Sequence, residues 1–165
     1  MEKTILIQRV QTYAERKGLT LGDQLGFGVH GIVFSAKNQT KNGRAAIKVH
    51  EREIDFMRER DAYLRLQEHD ITEISGCNVP ELIAFDDDLF ILEMTLVDRP
   101  FVLDFGGAFL DHSPGFSEEV LAEWHAEKAE QFGKLWPAAH SILRFLEGIG
   151  IYVVDVNTNN ISWPD

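Results

Sequence analysis

The beginning of the chain has the hydrophobic spacing of a helix. Over residues 3–17, apolar side chains recur three or four positions apart, which is typical of an amphipathic helix. They are Leu6, Val10, Tyr13 and Ala14. Gly18 comes directly after this segment and favours a helix end there. We therefore predict a helix over residues 3–17.

Strand-like sequence follows between residues 20 and 50. Two apolar segments, 32–34 and 45–49, flank a polar stretch that ends in Asn42-Gly43. An Asn-Gly pair between apolar runs is a strong β-hairpin signal, because both residues tolerate a positive φ. We predict antiparallel strands on the two sides of this turn.

The middle of the chain predicts one more helix and two more strands. Residues 52–68 form a charged amphipathic pattern, which indicates a helix. Residues 79–96 contain two apolar segments around the acidic turn 86–88. We interpret this turn as a solvated connection between two strands.

The second half is predicted to be helical. Ser117 precedes two glutamates and can cap a helix whose apolar stripe continues to Leu135. Pro137 should break or kink this helix, because proline disfavours helical geometry at the residue before it. A second helix follows, with Ile142, Leu143 and Leu146 on one face. A short strand at 151–154 and a polar loop at 155–160 complete the pattern.

Composition and charge narrow the class of protein. The chain has 165 residues, of which 44% are hydrophobic and 26% charged, as in ordinary globular proteins. Sixteen basic and 27 acidic residues give a net charge of −11, which would repel nucleic-acid phosphates. No apolar run approaches the ~20 residues that cross a bilayer, so we expect no membrane attachment. The single cysteine, Cys77, suits a reducing compartment, so we expect a cytoplasmic protein.

A glycine-rich segment is the first candidate for chemistry. Residues 26–33 read Gly-Phe-Gly-Val-His-Gly-Ile-Val, with glycine at Gly26, Gly28 and Gly31. A dinucleotide-binding glycine loop should lead into a helix, whereas here one predicted strand leads into another. The segment is therefore either a plain glycine-rich hairpin or a flap whose backbone amides approach phosphate oxygens.

A lysine and a glutamate form the second candidate. Lys48 lies within the apolar strand segment 45–49, where burial is costly without an anionic partner. Glu59 shares the apolar face of the 52–68 helix with Phe56, Tyr63 and Leu66. We expect Glu59 to pair with Lys48. Glu53 is the alternative, but it stands only five residues after Lys48.

The third candidate is the polar loop near the end of the sequence. Asp155 and Asn160 stand between an apolar strand and Ile161. A polar loop rich in asparagine is common, so these two residues alone have a plain structural interpretation.

Together these residues resemble the protein-kinase-like superfamily, from Gly26 to Asn160. The resemblance implies an α+β fold, with an N-terminal antiparallel sheet that carries one helix and a truncated, mainly helical C-terminal lobe. It implies two domains: 1–97 with the nucleotide-binding lobe, and 98–165 with the catalytic-type loop.

The resemblance also implies ATP and magnesium as cofactors and assigns roles to residues. Asp155 would be the catalytic base, Lys48 would hold the α- and β-phosphates, and Asn160 would bind magnesium. The remaining nucleotide-binding positions would be Gly26, Gly28, Gly31, Val33, Ala46 and Glu59.

Three departures from the family pattern bear on function. Val153 and Val154 replace the His-Arg before the catalytic Asp, and Asn157 stands where protein Ser/Thr kinases usually carry Lys. Only five residues follow Asn160, so the family's downstream Asp-Phe-Gly has no place there. Residues 104–106 spell Asp-Phe-Gly upstream, where we expect a structural turn. The alternative is that Asp104 replaces the absent metal ligand.

Three functions remain open at this point. The chain is an ATP-dependent phosphotransferase acting on an unidentified hydroxyl acceptor, or a pseudokinase that binds nucleotide or a partner without catalysis. It could also be an α+β interaction module without nucleotide. We also expect that a second copy, in a homodimer, could cover apolar surface left by a short C-terminal lobe.

Overall fold

The computed structural model describes residues 3–38, 43–102 and 104–163. The Asn42 position of the predicted hairpin turn lies outside these residues. The helices are α1 (Lys3–Lys17), α2 (Glu53–Glu68), α3 (Glu118–Phe132) and α4 (Trp136–Gly148). The strands are β1 (Leu19–Gly28), β2 (Gly31–Asn38), β3 (Arg44–Val49), β4 (Glu73–Ile74), β5 (Cys77–Asn78), β6 (Leu82–Asp86), β7 (Ile91–Thr95), β8 (Phe101–Val102), β9 (Ala108–Leu110), β10 (Ile151–Val153) and β11 (Ile161–Ser162). The protein is a mixed α+β structure.

The main sheet has the strand order β1-β2-β3-β7-β6, with every neighbouring pair antiparallel. The register places Val33 of β2 opposite Lys48 of β3, and Lys48 opposite Leu92 of β7. The strands expected in 20–50 and 79–96 are therefore confirmed. Lys48 lies in a central strand of this sheet, where its backbone is fixed from both sides.

The two faces of the main sheet pack against different helices. One face buries α1 through the predicted apolar stripe, with Tyr13 and Val10 against Ile47 and Ile91. The opposite face packs against α2, with Phe56 among the side chains of the apolar cluster there. We expected one helix on this sheet. The structure packs two, because side chains alternate between the faces of its central strands and both faces are apolar there.

Two small strand groups complete the fold. A mixed sheet has the order β11-β8-β5-β4, and β10 pairs antiparallel with β9. Ile161 of β11 lies opposite Val102 of β8, and Ile151 of β10 lies opposite Leu110 of β9. We call these four strands interlocked, because β8 pairs with β11 and β9 pairs with β10. The loop between β8 and β9 therefore faces the loop between β10 and β11.

The helices of the second half follow the capping and proline signals. The Ser117 hydroxyl accepts a hydrogen bond from the Val120 amide and caps α3. A short 3₁₀ turn over 133–135 separates α3 from α4, with Pro137 in the first turn of α4. Leu135 was expected in the apolar stripe of α3. It is instead 45% exposed, because the tighter 3₁₀ turn takes it off that face.

The apolar core is continuous across the predicted domain boundary. One buried cluster contains Phe56 and Met94 from the N-terminal segment together with Leu146 and Ile151 from the C-terminal segment. The division at residues 97 and 98 stays a prediction. Among the described residues, no helix has the length and apolar character needed to cross a membrane.

Several large apolar side chains on the C-terminal helices and the loop before them are exposed. They are Phe116, Val120, Leu135 and Phe145. The homodimer that would cover such a surface stays a prediction.

Candidate functional site

Lys48 lies at the centre of a buried cluster of charged and polar side chains. Its Nζ is 2.7 Å from Oε2 of Glu59 and 2.9 Å from Oδ1 of Asp104. The Lys48 side chain is 8% exposed and that of Glu59 is 1% exposed. The predicted pairing of Lys48 with Glu59 is confirmed, whereas Glu53 is exposed at the start of α2. The helix register drawn from the apolar face is therefore correct.

Glu59 has two further partners that hold its carboxylate in place. The His50 Nε2 is 2.6 Å from Oε2, and the backbone amide of Phe105 donates to Oε1 over 3.2 Å. His50 is fully buried, and its Nδ1 lies 3.2 Å from the Phe90 carbonyl oxygen. Sequence analysis missed His50. Its place two residues after Lys48 was an available signal, since residues i and i+2 of a strand share a face.

Burial and pairing act against each other on the pKa values of this cluster. Burial alone would lower the pKa of Lys48, but the carboxylates of Glu59 and Asp104 outweigh it and raise that pKa above its ordinary value. Burial alone would raise the pKa of Glu59, but Lys48 and His50 lower it to about 2. Both groups are therefore charged at neutral pH, as buried ions are when they are paired.

Asp104 points toward Lys48 from the loop between β8 and β9. Its backbone has a φ of +67°, a conformation that few residues other than glycine adopt. The Gly106 amide donates to Oδ1 of Asp104 over 3.3 Å, and the next side chain, Phe105, is buried with its ring edge-on to Tyr63. The turn expected here is present, with the Ala108 amide donating to the Phe105 carbonyl oxygen over 3.0 Å, and the Asp104 carboxylate also joins the Lys48 cluster.

The predicted catalytic-type loop faces the same region. Asn160 is buried, and its Oδ1 accepts a hydrogen bond of 2.9 Å from the Asn157 amide. Asn160 and Asp104 line one small cavity, together with Val156 and Leu146. Two residues that lie far apart in the sequence thus border the same small, mainly apolar cavity.

Asp155 stands at the solvent-facing end of this loop. Its side chain is 59% exposed, and Oδ2 lies 2.9 Å from Nε2 of His30 at the tip of the glycine-rich segment. Trp124 donates to the carbonyl oxygen of Val154 over 3.0 Å and ties α3 to the residue before Asp155. The backbone before Asp155 is therefore anchored, while its carboxylate remains accessible.

The glycine-rich segment is the hairpin of β1 and β2. Gly28 pairs with Gly31 across a turn of two residues. Gly31 has a φ of +137°, and a Cβ there would collide with the Val49 carbonyl oxygen, so the fold itself requires this glycine. A Cβ on Gly26 or Gly28 would meet nothing within 4 Å. Packing within the protein therefore does not explain the glycines at positions 26 and 28.

Val33 and Ala46 lie beside Lys48 on one face of the sheet. Val33 is the cross-strand neighbour of Lys48, and Ala46 precedes Lys48 by two residues. Both pack with Leu92 and Met94 in the apolar cluster on that face. The Lys48 ammonium therefore lies next to an apolar surface under the glycine-rich hairpin.

No group of three or more His, Cys, Asp or Glu side chains that could hold a metal occurs within the described ranges. Asp104 and Asn160 therefore offer at most part of a metal coordination shell.

Comparisons with known proteins add little to this description. No protein-family model matches the chain, and no curated protein matches it. One similar solved structure is the kinase domain of Mycobacterium tuberculosis PknI, in the form of a double mutant. The TM-score is 0.32 at 19% identity, over 68% of this chain and 46% of that one. The chain thus spans less than half of that kinase domain, and we rest nothing on a likeness of this size.

Proposed function

We propose that the protein binds magnesium–ATP next to Lys48 and transfers the γ-phosphoryl group to a hydroxyl acceptor, as a kinase-like phosphotransferase. One observation carries the proposal: Lys48 Nζ is held between Glu59 and Asp104, and Asp104 shares a cavity with Asn160. In this proposal Lys48 would supply a cation for the phosphates, and Asp104 and Asn160 would each supply an oxygen to a metal. The kinase-like assignment rests on these residues.

The nucleotide would lie under the glycine-rich hairpin. A phosphate binds well where backbone amides can approach it without side chains in between, and the open space at Gly26 and Gly28 supports such a site. Lys48 would bind the phosphates as a point charge, with Glu59 fixing its position. Val33 and Ala46 would offer an apolar surface to the base.

The residues present fit a magnesium ion that is bound partly by the nucleotide. Magnesium in such sites takes one or two carboxylates and several phosphate oxygens instead of a cage made only of protein. Asp104 and Asn160 are the residues that would hold it. The Asn160 amide oxygen has a second lone pair beyond the one that accepts from Asn157. When bound, the metal would neutralise charge on the transferred group.

Asp155 would act as the general base. Its carboxylate is exposed, and a carboxylate within hydrogen-bond reach of an acceptor hydroxyl can take its proton as the phosphoryl group is transferred. Positioning and charge stabilisation do most of the work in this reaction. The buried Lys48 cluster supplies the positioning, and the exposed loop leaves room for the acceptor.

The first experiment tests nucleotide binding. Calorimetry with magnesium–ADP and magnesium–ATP should give a measurable Kd for the wild type and at least several-fold weaker binding for Lys48→Met. Lys134→Met is the matched control, since Lys134 is exposed in the 3₁₀ turn, and it should bind as the wild type does. Asp104→Asn serves as a second variant if Lys48→Met does not fold. Absence of binding to the wild type would reject the proposal.

The second experiment tests phosphoryl transfer. The wild type should transfer radiolabel from γ-labelled ATP to itself or to water in the presence of magnesium, and Asp155→Asn should lose about a hundredfold or more of this activity. Clear nucleotide binding without transfer would support the pseudokinase alternative instead. Transfer that persists undiminished in Asp155→Asn would show that another base or a contaminating kinase is responsible.

A further inference from the structure

His30 lies in the two-residue turn of the glycine-rich hairpin and points inward. Its neighbour in the turn, Val29, is 82% exposed, whereas the His30 side chain is 14% exposed. Gly31 fixes the end of this turn, since its backbone passes directly against the Val49 carbonyl. The hairpin therefore presents one imidazole to the site and keeps the apolar side chain outside.

The His30 ring lies between two carboxylates from different parts of the chain. Nε2 is 2.9 Å from Oδ2 of Asp155, and Nδ1 is 3.7 Å from Oδ1 of Asp55. Asp55 is buried at the start of α2, and Arg52 binds both of its oxygens, at 2.7 Å and 2.8 Å. The Asp155 carboxylate only accepts hydrogen bonds, so Nε2 of His30 is the donor. The ring therefore lies beside the fixed start of α2 and makes its hydrogen bond to the exposed end of the Asp155 loop, while Nδ1 has no hydrogen-bond partner within the described residues.

Two adjacent glycines make room for this contact. A Cβ on Gly106 would lie 2.8 Å from Cγ of His30, and a Cβ on Gly107 would lie 2.9 Å from Cβ of Asp155. Neither glycine has a positive φ, so backbone strain does not explain them. Gly106 and Gly107 thus form the surface under the His30–Asp155 pair. A larger residue at either position would displace His30 or Asp155.

We propose that His30 is a positioning residue for Asp155. It holds Oδ2 of Asp155 through Nε2–H and leaves Oδ1 to take the proton of the acceptor hydroxyl. Because His30 belongs to the glycine-rich hairpin, Asp155 is oriented only while that hairpin is closed over the site. The role rests on the proposed function, in which Asp155 is the base.

The test compares three variants of the full chain: His30→Ala removes the donor, His30→Gln retains an N–H that can reach Asp155, and His69→Ala is the control. His69 is exposed at the end of α2, away from the site. Turnover of magnesium–ATP should fall about tenfold to a hundredfold in kcat for His30→Ala, with its KM within a factor of three. His30→Gln should recover part of the loss, and His69→Ala should behave as the wild type.

Three results would overturn this role for His30. They are equal losses in His30→Ala and His30→Gln, an unchanged kcat in His30→Ala, and a rise in kcat, which would make the contact inhibitory. Phosphoryl transfer by the wild type separates this failure from failure of the proposed function, and an NMR measurement tests the contact itself without turnover. The ¹⁵N shift of His30 Nε2 should change in Asp155→Asn and stay constant in Glu53→Gln. If the wild type transfers no phosphoryl group, the proposed function and the positioning role both fail, whether or not the shift reports the contact.

Discussion

The Lys48 cluster and the Asp155 loop are neighbouring regions built in opposite ways. The side chains of Lys48, Glu59 and His50 are buried and linked to one another, whereas the Asp155 side chain is 59% exposed. Removing one partner from a buried ion pair leaves an uncompensated charge and costs far more than removing an exposed one. Because of this difference, the effects of substitutions in the two regions can be separated experimentally. The first should control stability and binding, and the second should control turnover.

The largest expected effect on stability comes from Glu59→Ala. It leaves Lys48 and His50 buried without the carboxylate that joins them, so the free energy of unfolding should fall by roughly 3–5 kcal/mol. Urea unfolding followed by circular dichroism measures this. Glu53→Ala on the same helix is the control and should stay within about 0.5 kcal/mol of the wild type. Similar values for the two variants would contradict a paired Glu59.

The next prediction concerns the dependence of folding stability on pH. The pKa of Glu59 is lowered to about 2 in the folded protein, so its contribution is complete above its unfolded value and is lost as the pH falls toward 2. At 1.36 kcal/mol per pKa unit, the contribution is roughly 3 kcal/mol. Unfolding measured from pH 6 to pH 2 should therefore show a steeper loss for the wild type than for Glu59→Gln. Parallel curves would show that Glu59 titrates normally.

Gly107→Ala should lower stability moderately, because it changes the contact between the loop that carries Asp104 and the loop that carries Asp155. The new Cβ would lie 2.9 Å from Cβ of Asp155, so the loop must shift, at a cost of roughly 1–3 kcal/mol. Gly115→Ala is the matched control, since a Cβ there meets nothing within 4 Å. Thermal unfolding of the two variants checks this. Equal melting temperatures would mean that the loop shifts at no cost.

The smallest expected effect on stability belongs to Asp155→Asn. The side chain is mostly exposed, so the free energy of unfolding should stay within about 0.5 kcal/mol of the wild type. The Kd for magnesium–ADP should also stay unchanged, because the proposed phosphate contacts come from the other region. Calorimetry and urea unfolding of the same sample measure both quantities. Weaker nucleotide binding would show that the two regions are not separable.

Sequence patterns were sufficient where the chemistry follows local periodicity. Lys48 in an apolar strand and Glu59 on an apolar helix face required each other, because neither charge can be buried alone. The helices and the long strands followed from spacing, capping and glycine signals in the same way. These inferences used residues that lie close together in the sequence.

Contacts between distant segments could not be read in this way. Asp104 was expected in a structural turn because chain order places it before Asp155, yet the interlocked strands bring both loops together whatever their order. His30 could not be placed, since periodicity does not indicate where a turn side chain points. Four of the described strands, β4, β5, β8 and β11, have only two residues each, too few to show an alternation.

The interlocked strands also determine how the site is assembled from the unfolded chain. Lys48 and Glu59 are 11 residues apart, Lys48 and Asp104 are 56 apart, and His30 and Asp155 are 125 apart. Contacts of long range must first overcome the entropy of closing the chain between them, so local pairs form more readily. The lysine–glutamate pair therefore closes a far shorter segment of chain than the His30–Asp155 contact does. The two loops are brought together by the pairing of β9 with β10 and of β8 with β11, so the complete site depends on contacts that span most of the chain.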